Sequence, residues 1–173
     1  MTIVATARLA LRRFELSDAP FVLRLVNEPS WIENIGNKGV RTVDDAARYL
    51  SGGPIAMYDR VGFGLYLVAL KESGEPIGMC GLIKRDGLND VDVGFAFLPE
   101  HWGRGFAYES AAAVVDYGRR TLGLSRIVAI VSKTNARSAR LLERLGFTCE
   151  GTTRVRPGEE LFLYASEPAD ARA

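Results

Sequence analysis

Polar and apolar residues alternate from Thr6 to Arg13, which predicts a strand. A helical spacing follows. Phe21, Leu25 and Val26 recur at helical intervals, and Ser17 can cap the helix that carries them. Thr42 can cap a second helix, with Asp44 and Asp45 in the first turn, where the helix dipole favours negative charge. Gly52-Gly53-Pro54 then interrupts the chain, and Ile55 to Tyr58 predicts one more helical turn. From there strands dominate. Gly64–Leu70 and Ile77–Lys84 flank a Ser-Gly turn within Lys71–Glu75, and Val91–Leu98 follows a turn at Asp86-Gly87. That spacing predicts an antiparallel meander. Ala107–Thr121 reads as a helix, Arg126–Val131 as a strand and Ser138–Leu145 as a helix closed by Gly146. Phe147–Gly151 and Leu161–Ala165 make a last hairpin. The order predicts an α+β fold: a mixed, mostly antiparallel sheet of six to seven strands with helices on both faces. No repeat or linker divides residues 1–173, so one domain is expected. The small polar tail 166–173 is expected to fray.

Charge removes some functions. There are 22 basic and 21 acidic residues, a net charge of +1, which argues against a dedicated nucleic-acid surface. No apolar run is long enough to span a bilayer, and the amino terminus lacks a signal-peptide core. The two cysteines, Cys80 and Cys149, sit in strand-like apolar settings without metal-ligand spacing, and His101 is the only histidine. Buried, reduced thiols, no metal and a cytoplasmic location are the expectations.

The chemistry concentrates in Leu98–Ser110. A strand feeds a turn built on Gly103 and Gly105, and a helix begins at once. Glycines there let the backbone approach a ligand, and the helix start offers free N–H groups and positive potential. A phosphate or pyrophosphate suits that arrangement. A P-loop is excluded, because no Gly-Lys-Ser/Thr run exists. A dinucleotide fingerprint fits Gly103 and Gly105 but meets Tyr108 where a small residue is required.

Trp102-Gly103-Arg104-Gly105-Phe106-Ala107 resembles the coenzyme A loop of the GNAT acetyltransferases, Q/R-x-x-G-x-G/A. Gly105 and Ala107 match, while Trp102 replaces the first Gln/Arg, as is common in the branch of ribosomal-protein N-terminal acetyltransferases. Asn135–Phe147 (NARSARLLERLGF) resembles the later N-x-x-S/A…E-K/R-x-G-F segment, and Thr6–Phe14 and Ile32–Thr42 resemble other parts of that branch. The resemblance covers nearly the whole chain.

It implies transfer of an acetyl group from acetyl-CoA to a primary amine, directly, in a ternary complex. The pyrophosphate would meet Gly103, Arg104, Gly105, Phe106, Ala107 and Tyr108. The pantetheine arm would lie along the backbone of Phe97 and Leu98, near Asn135 and Ser138. Many relatives carry a tyrosine general acid seven residues after the Asn, but this chain has Leu142 there. Ser138 is the substitute the branch suggests, as a hydrogen-bond donor to the departing sulfur. Asp92 aligns with an acidic residue some relatives use as a base. Glu109, in the first turn after the loop, better suits helix capping or a neighbouring charge. Trp31, Ile32, Ile35 and Tyr58 are candidate acceptor contacts. The acceptor is a small-molecule amine or a protein amino terminus, and the protein is a monomer or homodimer. A coenzyme A-binding module without efficient catalysis is the alternative, since the usual tyrosine is lost. A protein binding another nucleotide is a third reading.

Overall fold

The computed structural model describes residues 1–168. One sheet of eight strands organises them: β1 (Thr2–Ala5), β2 (Leu9–Arg13), β3 (Leu65–Leu70), β4 (Pro76–Ile83), β5 (Val91–Phe97), β6 (Ile127–Ser132), β7 (Thr148–Arg156) and β8 (Glu159–Ser166). Their order is β1-β2-β3-β4-β5-β6-β8-β7, and every neighbouring pair is antiparallel except β5 with β6. The helices are α1 (Ala19–Val26), α2 (Pro29–Asn34), α3 (Val43–Leu50), α4 (Ala56–Val61), α5 (Phe106–Arg120) and α6 (Ala136–Arg144).

Alternation along the strands divides the core. Tyr66 and Val68 belong with Cys80, Leu82 and Ile127 in a cluster that includes Ala111 and Val114 of α5. Leu67, Ala69 and Met79 pack instead with Val22 and Leu25 of α1, Trp31 of α2 and Ala46 of α3. Helices thus cover both faces. Each fully buried Leu contributes roughly 1.5–3 kcal/mol relative to exposure, so both layers are needed.

The strand count exceeds the expectation by β1, which precedes the expected strand Thr6–Arg13; that strand begins only at Leu9. Thr6 to Arg8 turns, and β1 folds back on β2. Glu109 fixes that turn from α5. It accepts from Thr6 Oγ1 at 2.6 Å, from the Arg8 N–H at 3.0 Å and from Arg8 Nε at 2.7 Å. Ser17 does not cap α1; a 3-10 turn over Leu16–Asp18 leads into it, with Glu15 and Asp18 bonded reciprocally at its start. Thr42 does cap α3, accepting from the Asp45 N–H, while the Asp45 carboxylate returns to the Thr42 N–H. Gly52-Gly53-Pro54 does not break the chain. Ser51–Ile55 winds as a π-helical turn that joins α3 to α4. At the end of α6, the Phe147 N–H reaches the Leu142 carbonyl and the Gly146 N–H reaches Glu143, with Gly146 at φ +89°. That is a Schellman closure. Cys149 is exposed, not buried, and Cys80 is a buried thiol. Ser166 ends β8 instead of fraying, and residues 169–173 of the expected tail lie outside the described residues.

Candidate active site

The two parallel strands part almost at once. β5 and β6 pair only at Val91 with Ile127 and Asp92 with Val128. Beyond that, β5 stays on β4 as far as Phe97, and β6 stays on β8 as far as Ser132. A wedge opens between them with Asp92 near its vertex. The Leu98 N–H donates to the Ile77 carbonyl at 3.0 Å. Hydrogen bonding alternates along an antiparallel pair, so the N–H groups of Gly94 and Ala96 also turn to β4. Those of Phe95 and Phe97 turn to the wedge. Leu98, expected beside the pantetheine arm, has its N–H taken and its side chain in the core. Phe95, which the motif did not single out, turns its N–H to the wedge instead.

The glycine loop closes the wide end. Gly103 and Gly105 adopt φ +73° and +81°, a region costly for side-chain-bearing residues. The first bond into α5 runs from the Glu109 N–H to the Gly105 carbonyl at 3.0 Å, and no side chain caps the helix. The N–H groups of Phe106, Ala107 and Tyr108 therefore face outward at the positive end of a 15-residue helix. Trp102 ties the loop to β5: its Nε1 donates to the Phe97 carbonyl at 2.9 Å. The Arg137 guanidinium lies 4.5 Å from its ring centroid. Arg8 and Arg104 lie 4.4 and 5.0 Å from the Phe106 ring centroid, and Arg144 lies 4.6 Å from that of Tyr108. Glu109 neutralises Arg8; among the described residues Arg104, Arg137 and Arg144 have no ion-pair partner. A basic rim surrounds the loop.

Asn135 caps α6 by accepting from the Ser138 N–H at 3.2 Å. The Ser138 hydroxyl has no bond within the described residues, and both residues line the cleft between α5 and α6. Asn135→Ala should cost about 1 kcal/mol through the lost cap. It should also weaken acetyl-CoA binding, whereas Asn135→Ser should regain the cap but not the affinity. Melting and titration calorimetry of both variants check this, and normal affinity in both would leave Asn135 a cap only.

The cleft has a volume of about 620 Å³ and runs from Trp102 and Ala107 past the wedge to α2 and α3. Asp92 lines it with its side chain 1% exposed. Arg85 Nε donates to Asp92 Oδ2 at 2.6 Å, while Oδ1 has no partner among the described residues. Burial pushes the Asp92 carboxyl above the usual range, and the Arg85 charge and hydrogen bond oppose it. A buried carboxylate with one unpartnered oxygen can take a proton from a substrate.

Residues 8–148 match the family model for the acetyltransferase (GNAT) domain. The chain belongs to the GNAT acetyltransferases. The uncharacterised N-acetyltransferase p20 of Bacillus licheniformis is 31% identical over 156 residues, 89% of this chain and 86% of that one. An acetyltransferase structure from Agrobacterium tumefaciens superposes with a TM-score of 0.81 at 28% identity, covering 95% of this chain and 93% of that one. The fold is also that of RimL, a ribosomal L7/L12 α-N-protein acetyltransferase solved with coenzyme A, at TM-score 0.81 and 21% identity over 96% and 98% of the two chains.

Within this GNAT chain the expected acceptor contacts separate. Trp31 and Ile35 line the cleft. Ile32 does not; it lies on the outer side of α2, 40% exposed. Tyr58 is a core residue. It stacks on Tyr66 at 5.8 Å, accepts from the Phe14 N–H at 3.1 Å and donates to the Leu65 carbonyl. Leu142, at the position of the usual tyrosine, is fully buried. Sequence reasoning missed Arg85, Lys38 and Tyr49, which also line the cleft. Arg85 follows a strand and precedes a turn, and nothing in its local pattern distinguishes it from a solvated turn residue.

Proposed function

We propose that the protein is a single-domain N-acetyltransferase of the cytoplasm, moving the acetyl group of acetyl-CoA directly to a primary amine in a ternary complex. One observation carries the reading: an uncapped helix start and Asp92, with one carboxylate oxygen unpartnered among the described residues, stand at the wide end and the vertex of one wedge, joined by the open flank of β5. Two cysteines left as separate thiols support the location.

The N–H groups of Phe106, Ala107 and Tyr108 would hold the pyrophosphate, with Gly103, Arg104 and Gly105 shaping the approach. The rim cations Arg104, Arg137 and Arg144 favour the same anion. Backbone groups of Phe95 and Phe97 would pair with the amides of the pantetheine arm, as an added strand does. The thioester supplies an electrophilic carbonyl carbon. Asp92 Oδ1 takes a proton from the acceptor ammonium, freeing the nitrogen lone pair to form the C–N bond. The C–S bond breaks, and the Ser138 hydroxyl hydrogen-bonds the departing sulfur. The second amine proton leaves to solvent through the cleft.

Titration with acetyl-CoA, ATP and NAD, followed by thiol release with a panel of amines, tests the reading. Tight acetyl-CoA binding with transfer supports it. Binding without transfer to any amine identifies a coenzyme A module. Preference for ATP or NAD overturns coenzyme A recognition. Ser138→Ala should lower kcat about fivefold, as expected for one lost hydrogen bond of ~1 kcal/mol, with acetyl-CoA affinity unchanged. Its pH profile should follow that of the native protein.

A further inference from the structure

The acceptor end of the cleft holds cationic groups that an amine-binding site does not require. Arg85 gives Nε to Asp92, but its two terminal nitrogens have no partner among the described residues. Its side chain is 35% exposed and lines the cleft. Lys38, in the segment after α2, lines the same end and makes no ion pair among the described residues. Partial loss of water, then the nearness of Arg156 and Arg85, pulls the Lys38 ammonium below its ordinary range, with Glu159 opposing. Arg156 comes from the tip of the β7–β8 hairpin, pairs with Glu159 at 3.1 Å and reaches the Ile35 carbonyl at 3.5 Å. Arg48 also lines the cleft but is paired with Asp45. Glu28 and Asp92 are the lining carboxylates, and with Arg48 and Arg156 already paired, the Arg85 terminal nitrogens and Lys38 are the cationic groups left for a ligand.

A polyamine or a simple alkylamine would offer the Arg85 terminal nitrogens and Lys38 no anion to meet. An acceptor carrying its own anion would supply one. Asp92 and Arg85 are neighbours through the bond from Nε to Oδ2, which leaves Oδ1 and the terminal guanidinium nitrogens without partners among the described residues. One oxygen suits an ammonium; the guanidinium edge suits a carboxylate, gripped through two parallel N–H bonds. An α-amino acid presents these two groups on one carbon.

We propose that the acceptor is a free α-amino acid, its carboxylate held by Arg85 and its amino group presented to Asp92, with Lys38 placed for a second anionic group on the side chain. The assignment rests on acetyl transfer in this cleft. It adds what Arg85 does: the residue that partners the base also orients the nucleophile, so the amine is delivered to the acetyl carbonyl in one pose.

The test compares thiol release from acetyl-CoA with the common α-amino acids, the α-carboxamide of each, and spermidine, using the full chain. Calorimetry with acetyl-CoA on the same preparation reports the donor site independently. A kcat/KM at least tenfold higher for an amino acid than for its carboxamide is expected. Arg85→Gln should erase that ratio, and Lys38→Gln should raise KM for acidic amino acids more than for neutral ones. Equal rates for acid and carboxamide, or preference for spermidine, overturns the acceptor assignment. Failure to bind acetyl-CoA, or binding without transfer to any amine, instead overturns the acetyltransferase reading beneath it. Arg85→Lys is the control for folding: it keeps the charge beside Asp92 but cannot form the two-bond grip, so it should retain the melting temperature and lose most of the discrimination.

Discussion

Asp92→Asn should reduce kcat/KM about 100-fold, the scale expected when a positioned base is removed. The reason is burial. The Asp92 side chain is 1% exposed at the vertex of the wedge, and its Oδ1 has no donor among the described residues. The native rate should therefore rise with pH through a pKa above the ordinary carboxylate range. The variant should lose that limb and recover rate only as the amine itself deprotonates. Stability should move the opposite way. A carboxyl whose pKa is raised on folding contributes stability that is fully present below its unfolded pKa, about 3.9, and lost as pH rises through the folded value. Asn carries no such charge. Near neutral pH the variant should melt no lower than the native protein, and in acid its relative advantage should disappear. Arg85 is partly exposed, so losing its partner leaves it in contact with water. Rate–pH profiles and melting curves on one preparation read both effects. A full native rate at every pH would remove Asp92 from the chemistry, and a lower melting temperature at neutral pH would contradict the burial argument.

Gly105→Val should weaken acetyl-CoA binding at least tenfold, or about 1.4 kcal/mol. Gly105 sits at φ +81°, where a β-branched residue is strained, and a Cβ there would lie 3.3 Å from the Arg8 guanidinium. Relief of that strain would tilt the first turn of α5 and scatter its outward N–H groups. Strain alone lowers stability, so a matched control is needed. Gly123, in the turn between α5 and β6, has φ +71° and open space around a Cβ. Gly123→Val should show a comparable drop in melting temperature with native acetyl-CoA affinity. Equal affinity losses in the two variants would mean that the loop has no special role in binding.

What could be read from the sequence was mostly local. The glycine loop, the long helix behind it and the Thr42 cap each depend on neighbouring residues, so their patterns survive folding. The break between β1 and β2 was hidden, because Thr6–Arg13 alternates without interruption. Its cause is Glu109, more than a hundred positions away. Similarly, Gly52-Gly53-Pro54 contains three helix breakers, yet a π-helical turn absorbs them between two helices. α2 has six residues and no side-chain cap, which leaves little periodic signal beyond Pro29 at its start. At the site, alternation put Asp92 on a face but could not say that its carboxylate was buried there. Tyr58 had the composition of a ligand contact; only the backbone groups of Phe14 and Leu65 reveal it as core.

The wedge between β5 and β6 leaves a signature in amide hydrogen exchange. Along most sheet strands protection is uniform, since both flanks are paired. Along β5 it should alternate with a period of two. Gly94 and Ala96, turned to β4, should exchange slowly, while Phe95 and Phe97, turned to the opening, should exchange fast despite lying in the middle of an eight-stranded sheet. Saturation with acetyl-CoA should slow the second pair far more than the first. Donor binding would then be visible as the completion of a missing ladder, resolved to individual amides.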